Sequence, residues 1–135
     1  MTDAMSAPAS NTAGTFRAVA VLGASPNPER YSNMAVVLLK EMGFPVVPVH
    51  PALPGIEGLP AAKNLAEIQR EIHTLTLYVG AKHLPPLVEE IVRLGPRRVI
   101  FNPGTENAVV IETLRRSGIE CVEGCTLVML KTGQF

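Results

Sequence analysis

The sequence predicts an α/β protein in which five parallel strands form a doubly wound sheet between two layers of helices. Two observations predict this three-layer α/β/α fold. Short apolar runs alternate with segments of helical periodicity along the chain after residue 14, and this alternation is typical of parallel sheets. Runs such as AVAVLG and RVIF are almost continuously apolar, as expected for strands that helices cover on both faces.

The five predicted strands are short apolar or β-branched runs bounded by turn-forming residues. They lie at residues 17–22, 45–50, 74–79, 97–102 and 119–122. A first helix follows the first strand and ends at Gly43. Its apolar side chains recur at helical spacing, and they are Ala35, Leu38, Leu39 and Met42.

Three further helices are predicted between the later strands. The second begins near Asn64, a capping residue with Glu67 three positions later, and its apolar face is Leu65, Ile68 and Ile72. The third follows two prolines and stops at Gly95, with an apolar face of Leu87, Val88, Ile91 and Val92. The fourth spans residues 105–117 and buries Val110, Ile111 and Leu114.

Length and composition limit the class of protein. The 135 residues fit one domain, since single domains commonly contain about 100–150 residues. Hydrophobic residues make up 47% of the chain and charged residues 18%, which is typical of globular proteins and not of disordered ones. Twelve basic residues balance twelve acidic ones without a basic cluster, which argues against a nucleic-acid partner because such proteins need a basic face.

The first 14 residues, MTDAMSAPASNTAG, have neither the basic nor the apolar region of a secretory signal. They predict a disordered tail before a domain at residues 15–135. Later apolar runs are shorter than the roughly 20 residues that span a membrane. The two cysteines, Cys121 and Cys125, lie close together and do not form a disulfide framework. We therefore expect a cytoplasmic protein with no membrane partner.

The stretch VAVLGASPNPERYS connects the first strand to the first helix. In a doubly wound sheet, right-handed crossovers place the carboxyl ends of all strands at one edge, and a ligand crevice opens beside the first strand. The stretch is therefore predicted to border that crevice.

The loop does not fit the standard dinucleotide fingerprint. Only Gly23 of the three glycines of G-x-G-x-x-G is present. The second strand ends in His50 and Pro51, where a nicotinamide site places a carboxylate for the ribose. A Walker loop also fails, because no Gly-Lys-Ser or Gly-Lys-Thr follows.

The loop can still bind phosphate, although neither the dinucleotide fingerprint nor the Walker motif is present. The loop offers backbone amides near a helix N-terminus. It also carries the hydroxyls of Ser25 and Ser32, the amide of Asn27 and the charge of Arg30, which are side chains that bind phosphate oxygens. The residues by themselves therefore predict a site for a phosphate-bearing ligand.

The sequence resembles the small, single-domain CoA-binding proteins with a Rossmann-like fold, which are related to the CoA-binding domain of succinyl-CoA synthetase. The resemblance covers nearly everything after the tail. It rests on VLGASPNPERYSNMAVVLLKEMGFPVVPVHP, YVGAKHLPPLVEEI, FNPGTEN and ECVEGCTLVML. The first of these is the most specific, because its loop and the proline-containing end of the second strand match in the right order.

The resemblance implies that CoA lies across the strand ends. Its pyrophosphate region would lie over Gly23, Ala24 and Ser25, and Asn27 and Arg30 would contact phosphate groups.

The same resemblance assigns the neighbouring strand ends. His50 and Pro51 would border the adenosine, although the family often has Asn-Pro where this chain has His-Pro. Val79 and Gly80, with Lys82 nearby, would line the path toward pantetheine.

Several residues have a structural interpretation beside the functional one. Lys82 and His83 fit a solvated loop as well as the mouth of the crevice, and Asn102-Pro103-Gly104 fits a turn as well as the far wall of the pocket. Cys125 fits either a buried thiol or one that faces pantetheine. The apolar TLVML segment would pack against the core or against a second subunit in a homo-oligomer.

Groups for catalysis are sparse at this edge. Glu106, Glu120 and Glu123 lie on separate segments, and no paired carboxylates and no Ser-His-Asp set stand out. We therefore expect a protein that binds CoA or an acyl-CoA without catalysis of its own. The alternatives are an enzyme that acts on an acyl-CoA thioester through Cys125, and an NAD(P)-binding protein.

Overall fold

The computed structural model describes residues 17–135, so the predicted tail lies outside the described residues. The strands are β1 (Val19–Leu22), β2 (Val46–Val49), β3 (Gly55–Ile56), β4 (Leu59–Pro60), β5 (Thr74–Leu77), β6 (Arg98–Phe101) and β7 (Glu120–Glu123). The helices are α1 (Tyr31–Glu41), α2 (Val88–Leu94), α3 (Ala108–Arg116) and α4 (Thr126–Lys131).

Five of the strands form one parallel sheet in the order β2-β1-β5-β6-β7. The strands are in register at their carboxyl ends, since Leu22 is paired with both Val49 and Leu77, and Phe101 with both Leu77 and Glu123. Strand order reverses at β1, which has β2 on one side and β5 on the other. A ligand crevice is expected at this position, and the loop after β1 lies there.

The two faces of the sheet bury two apolar clusters. Ala20 and Leu22 of β1 pack on one face with the buried side chains of α3, among them Val110 and Leu114. Val19 and Val21 pack on the other face with residues of α1 and α4, which are Val36, Leu39 and Leu130. The three-layer α/β/α architecture predicted from the sequence is therefore confirmed.

The second predicted helix is wrong. Asn64 does act as a cap, because its Oδ1 accepts a hydrogen bond from the Glu67 amide (3.1 Å), but only a 3-10 turn at Leu65–Glu67 follows. The chain is extended from Ile68 (φ −75, ψ 122). Ile68 and Ile72 still pack against the core from this extended segment, so burial of the apolar residues did not require a helix.

The fourth helix begins three residues later than predicted. Asn107 is its cap, since Oδ1 accepts hydrogen bonds from the amides of Val109 (3.1 Å) and Val110 (3.2 Å). Thr105 instead donates its hydroxyl to the Asn102 carbonyl (2.8 Å) within the preceding turn.

Two elements were not predicted as such. Strands β3 and β4 form an antiparallel hairpin, and the TLVML segment is helix α4, which packs its Leu130 against the core. Among residues 17–135, no helix has the length and apolar character needed to cross a membrane.

Candidate functional site

The loop after β1 passes close to the end of β5. Gly23 has φ +88, and a Cβ on it would lie 2.9 Å from the Tyr78 carbonyl oxygen and 3.1 Å from Cγ1 of Val79. A Cβ atom this close to a carbonyl oxygen and a methyl carbon would overlap with both. Glycine is therefore required here, both for the left-handed backbone and for the close approach of the two strand ends.

Local hydrogen bonds shape the rest of the loop. The Ser25 hydroxyl oxygen accepts from the Asn27 amide (3.1 Å), and Asn27 Oδ1 accepts from the Glu29 amide (2.9 Å). The Asn27 carbonyl accepts from the Arg30 amide (3.0 Å). These short-range turns are typical of serine and asparagine. They use the acceptors of both side chains and leave the Ser25 hydroxyl hydrogen and the Asn27 Nδ2 as donors.

The loop and the first turn of α1 enclose a cleft of about 360 Å³, which is lined by Gly23, Ser25, Glu29, Arg30, Tyr31, Ser32 and Tyr78. Helix α1 has no side-chain cap, and the amides of Ser25, Ser32 and Asn33 find no backbone acceptor among the described residues. Of these residues, Ser25 and Ser32 line the cleft together with the exposed guanidinium of Arg30, and amides and a guanidinium suit an anion. Glu29 adds one carboxylate to the same lining.

The end of β2 lies next to this loop. The Ala24 amide donates to the Val49 carbonyl (3.3 Å). His50 follows, and its Nδ1 accepts from the amides of Ala52 and Leu53, both at 3.0 Å. Because Nδ1 accepts, the proton of the neutral ring lies on Nε2, which is a donor. Pro51, the next residue, is exposed.

His50 takes the place of an asparagine cap. Asn107 makes the same pair of bonds with its Oδ1, to the amides two and three residues later. An imidazole Nδ1 and an amide oxygen lie at similar distances from the backbone, so either can close this turn. His50 therefore closes this turn with the same two bonds that Asn107 makes.

The predicted residues after β5 are divided between two places. Val79 contacts the Gly23 position. Gly80 precedes a 3-10 turn at Ala81–His83, in which Lys82 and His83 are exposed, and Asn107 Nδ2 donates to the Ala81 carbonyl (3.1 Å). Neither Gly80 nor Lys82 lines the cleft beside Arg30.

The residue after β6, Asn102, is turned inward. It is 3% exposed, and its Nδ2 donates to the Thr76 hydroxyl (2.7 Å) and the Leu77 carbonyl (2.8 Å). Its Oδ1 accepts from the Thr126 amide (2.8 Å), and the hydroxyls of Thr76 and Thr126 bond to each other (2.8 Å). Asn102 thus joins β5, β6 and α4, and it does not line the cleft.

Tyr78 connects the cleft to this buried network. Tyr78 lines the cleft, while its hydroxyl oxygen is buried and has no hydrogen-bond partner among residues 17–135. Burial raises the pKa of Tyr78 to about 12, although the nearby hydroxyls of Thr126 and Thr76 act in the opposite direction. Sequence reasoning missed Tyr78, and the available signal was its place directly after an apolar strand at the predicted ligand edge.

The two cysteines are not paired. Cys121 is 7% exposed in β7, its Sγ lies 3.8 Å from the carbonyl oxygens of Ile111 and Ile119, and burial raises the pKa of its thiol. Cys125 is half-buried and immediately precedes α4. Within residues 17–135, no three His, Cys, Asp or Glu side chains group in a way that could hold a metal ion.

The fold and the cleft define a class: α/β proteins with a donor-rich loop at the carboxyl edge of a parallel sheet. Within that class, the CoA binding domain family matches residues 17–131, and the chain belongs to this family.

Individual relatives agree with this assignment. The chain is 26% identical over 100 residues to the uncharacterized protein YneT of Bacillus subtilis (strain 168), covering 74% of each chain. A crystal structure of an uncharacterized protein is 36% identical and superposes with a TM-score of 0.80 over 90% of this chain and 99% of its own.

A larger protein shares the fold. The dinucleotide-forming acetyl-coenzyme A synthetase 1 of Ca. Korarchaeum cryptofilum, solved with phosphate and ADP, superposes with a TM-score of 0.71 at 16% identity. The match covers 82% of this chain and 26% of the synthetase. At this identity the likeness concerns the fold alone.

Proposed function

We propose that this protein binds coenzyme A or an acyl-CoA in the cleft beside the loop after β1, without a reaction of its own. The observation that carries the proposal is the set of donors without protein acceptors around the cleft. Backbone amides of Ser25 and Ser32 and the exposed guanidinium of Arg30 surround a volume of about 360 Å³. Membership of the CoA binding domain family supports the choice of ligand.

The diphosphate would lie over the backbone of Gly23, Ala24 and Ser25. Gly23 and Ser25 both line the cleft, and the absence of a side chain on Gly23 lets this backbone lie directly against Tyr78 and Val79. Asn27 Nδ2 and the Arg30 guanidinium would donate to phosphate oxygens, and Ser32, which is buried but lines the cleft, would add its hydroxyl.

His50 favours CoA over NAD, the nicotinamide dinucleotide that has no phosphate on its adenosine ribose. Its Nδ1 is occupied by two backbone amides, so Nε2–H is a donor with no partner among the described residues. A donor suits the phosphate on the adenosine ribose of CoA. A nicotinamide site instead has a carboxylate acceptor for the ribose hydroxyl, and this strand end provides none. His50 and Pro51 would therefore border the adenosine.

The pantetheine arm would leave the diphosphate along the end of β5. Val79 is already in contact with the Gly23 position, and Gly80 and Lys82 follow on the exposed side of the same segment. Two free cysteines fit a reducing compartment, and we place the protein in the cytoplasm on that ground.

The alternative is an enzyme that acts on an acyl-CoA thioester, with Cys125 as the nucleophile. Its position has a specific basis, because Thr126, the next residue, is fixed to β5 and β6 by the bonds to Thr76 and Asn102. The Cys125 thiol is therefore held at the carboxyl edge of the sheet. No base is hydrogen-bonded to it among the described residues, which favours binding without catalysis.

Calorimetry tests the ligand. CoA and acetyl-CoA should release heat with the purified protein and raise its melting temperature, while NADH and NADPH at the same concentration should do neither. Heat with NADH and none with CoA would contradict the proposal.

A thiol-release assay tests the alternative. The protein incubated with acetyl-CoA should release no free CoA above the rate of buffer alone. Release by the parent protein that disappears in Cys125→Ser, with CoA affinity retained, would establish the enzyme instead.

A further inference from the structure

Glu57 has an unusual backbone conformation. It is the one residue other than glycine with positive φ (53) among residues 17–135. It lies in the turn between β3 and β4, followed by Gly58 (φ 78). A side chain in this region costs free energy that glycine would avoid, and such strain persists only where the surrounding structure maintains it. The contacts of Glu57 must therefore explain why glycine does not occupy this turn position.

Helix α1 holds Glu57 at two points. Lys40 Nζ donates to the Glu57 carbonyl oxygen (2.8 Å), and Asn33 Nδ2 donates to its carboxylate oxygen Oε2 (2.9 Å). Asn33 and Lys40 are seven residues apart, which places them on the same face of the helix. The Lys40 bond uses only backbone of Glu57, so the side chain serves the Asn33 bond alone among the described contacts.

Asn33 in turn holds the ligand loop. It is 2% exposed, and the same Nδ2 that donates to Glu57 also donates to the Ser25 carbonyl oxygen (2.9 Å). One amide group thus directs its two hydrogens at two fixed acceptors. The peptide bond between Ser25 and Pro26 has no N–H, so this carbonyl is its one polar group. Its orientation depends on Asn33.

We propose that Glu57 is a positioning residue for the ligand loop. Its carboxylate fixes the rotation of the Asn33 amide, the amide fixes the Ser25 carbonyl, and the loop backbone at Ser25 is thereby held beside the cleft. The strained turn is retained because only a side chain with an acceptor at this point completes the chain of bonds. This inference rests on the proposed function, since it assigns Glu57 to the loop that would hold the CoA diphosphate.

Two substitutions separate positioning from hairpin stability. Glu57→Gly relieves the strained φ and removes the acceptor, whereas Glu57→Gln keeps an acceptor oxygen and removes the charge. Glu57→Gly should shift the melting temperature little, because relief of the strained backbone offsets the lost hydrogen bond to Asn33. It should bind CoA roughly tenfold more weakly, because the loop is no longer held in place. Glu57→Gln should bind CoA within about twofold of the parent, because the amide can still accept.

Hydrogen exchange provides a readout that needs no ligand. In the CoA-free protein, the hydrogen-bonded loop amides should exchange faster in Glu57→Gly and in Asn33→Ala than in the parent, and at the parental rate in Glu57→Gln. These amides are those of Ala24, Asn27, Glu29 and Arg30. This measurement tests the inference even if the parent binds no CoA, in which case the proposed function alone fails.

The proposal is overturned if Glu57→Gly leaves both CoA affinity and loop exchange unchanged, because Glu57 would then serve only the hairpin. A clear fall in melting temperature for Glu57→Gly would also overturn it, since the side chain would be retained for stability. If Glu57→Gln weakens CoA binding as much as Glu57→Gly, the charge and not the acceptor matters, and positioning through Asn33 is wrong.

Discussion

Two Asn-Pro dipeptides follow strands at the same edge of the sheet, and the structure uses them in opposite ways. Asn27, after β1, is exposed and closes a turn of the loop with one bond to the Glu29 amide. Asn102, after β6, is 3% exposed and bonds to β5 and α4. In the first region donors remain for a ligand, whereas in the second the polar groups satisfy one another.

The difference lies in how many polar atoms of each turn already have protein partners. Both regions carry the residue types that form turns and bind anions, so composition does not separate them. What separates them is whether the polar atoms already have protein partners. At Asn102 the partners are the Thr76 hydroxyl, the Leu77 carbonyl and the Thr126 amide, so little capacity is left for a ligand.

Replacing the buried asparagine should have the largest effect. Asn102→Ala leaves the Thr126 amide, the Leu77 carbonyl and a threonine hydroxyl with lost partners in a buried site, which should lower the free energy of unfolding by about 3 kcal/mol. Denaturant or thermal unfolding measures the loss. The matched change at the open loop, Asn27→Ala, removes one exposed bond and should cost well under about 1 kcal/mol. Equal losses at the two positions would abolish the distinction.

Removing the Arg30 guanidinium from the loop after β1 should have the second-largest effect, and it should affect CoA binding and not stability. Arg30 is exposed and its side chain makes no hydrogen bond to any described residue, so Arg30→Ala should leave the melting temperature unchanged. Loss of a charge-assisted bond to phosphate should weaken CoA binding by about 1.5 kcal/mol, roughly tenfold. Calorimetry measures it, with Arg93→Ala, another exposed arginine, as the control. An identical affinity for both variants would show that Arg30 does not contact CoA.

A third proline dipeptide, His50-Pro51, combines both roles and should give a smaller effect. His50→Ala removes the acceptor of two amides and should lower the free energy of unfolding by about 1 kcal/mol. His50→Asn should restore that stability, because an asparagine oxygen can accept the same two amides, as Asn107 shows.

Ligand affinity separates the two roles of His50. If Nε2–H contacts the ribose phosphate, His50→Asn should recover stability without recovering full CoA affinity. A variant that recovers neither would show that the imidazole fits this turn in a way that asparagine cannot.

Tyr78 lies at the border of the two regions and should give the smallest effect at neutral pH. Its hydroxyl is buried without a partner, so Tyr78→Phe should leave stability unchanged or raise it by less than about 1 kcal/mol. Chemical unfolding at pH 7 provides the comparison. A marked loss of stability would show that the hydroxyl has a partner.

The same residue gives an alkaline signature. Burial raises the pKa of Tyr78 to about 12 from an ordinary value of about 10, so the folded state holds this proton more tightly than the unfolded state. Its contribution to stability is therefore complete below pH 10 and is lost as the pH rises through 12. Between these limits the parent protein should lose stability more steeply than Tyr78→Phe. Parallel curves would contradict the raised pKa.

The sequence predicted the sheet, and the structure confirms it. Continuous apolar runs such as VAVL are buried on both sides because no polar side chain interrupts them, and only a parallel sheet between helices provides that burial. Its failures were local. Ile68 and Ile72 have helical spacing, yet they pack against the core from a non-helical segment after a 3-10 turn. The chain must reach the start of β5 at Thr74, and both side chains can be buried on the way without a helix.

The candidate site shows the same division. Four residues that line one cleft were found from the sequence because they follow the same strand within a short stretch of chain. They are Gly23, Ser25, Arg30 and Ser32. Tyr78 and Glu57 were not, since each reaches the loop from a distant segment of the chain, Tyr78 at the end of β5 and Glu57 through Asn33.

The sequence by itself determined which residues form the sheet, at which edge its strands end and which loop carries residue types that can bind phosphate, because these depend on patterns within a few neighbouring residues. Only the tertiary structure decided which polar groups remain available. The asparagine of the Asn-Pro pair is exposed after β1, whereas the asparagine of the same pair after β6 is buried. A hydrogen bond between distant segments consumes a donor or an acceptor, and such a partner is visible only when the folded chain brings the two together.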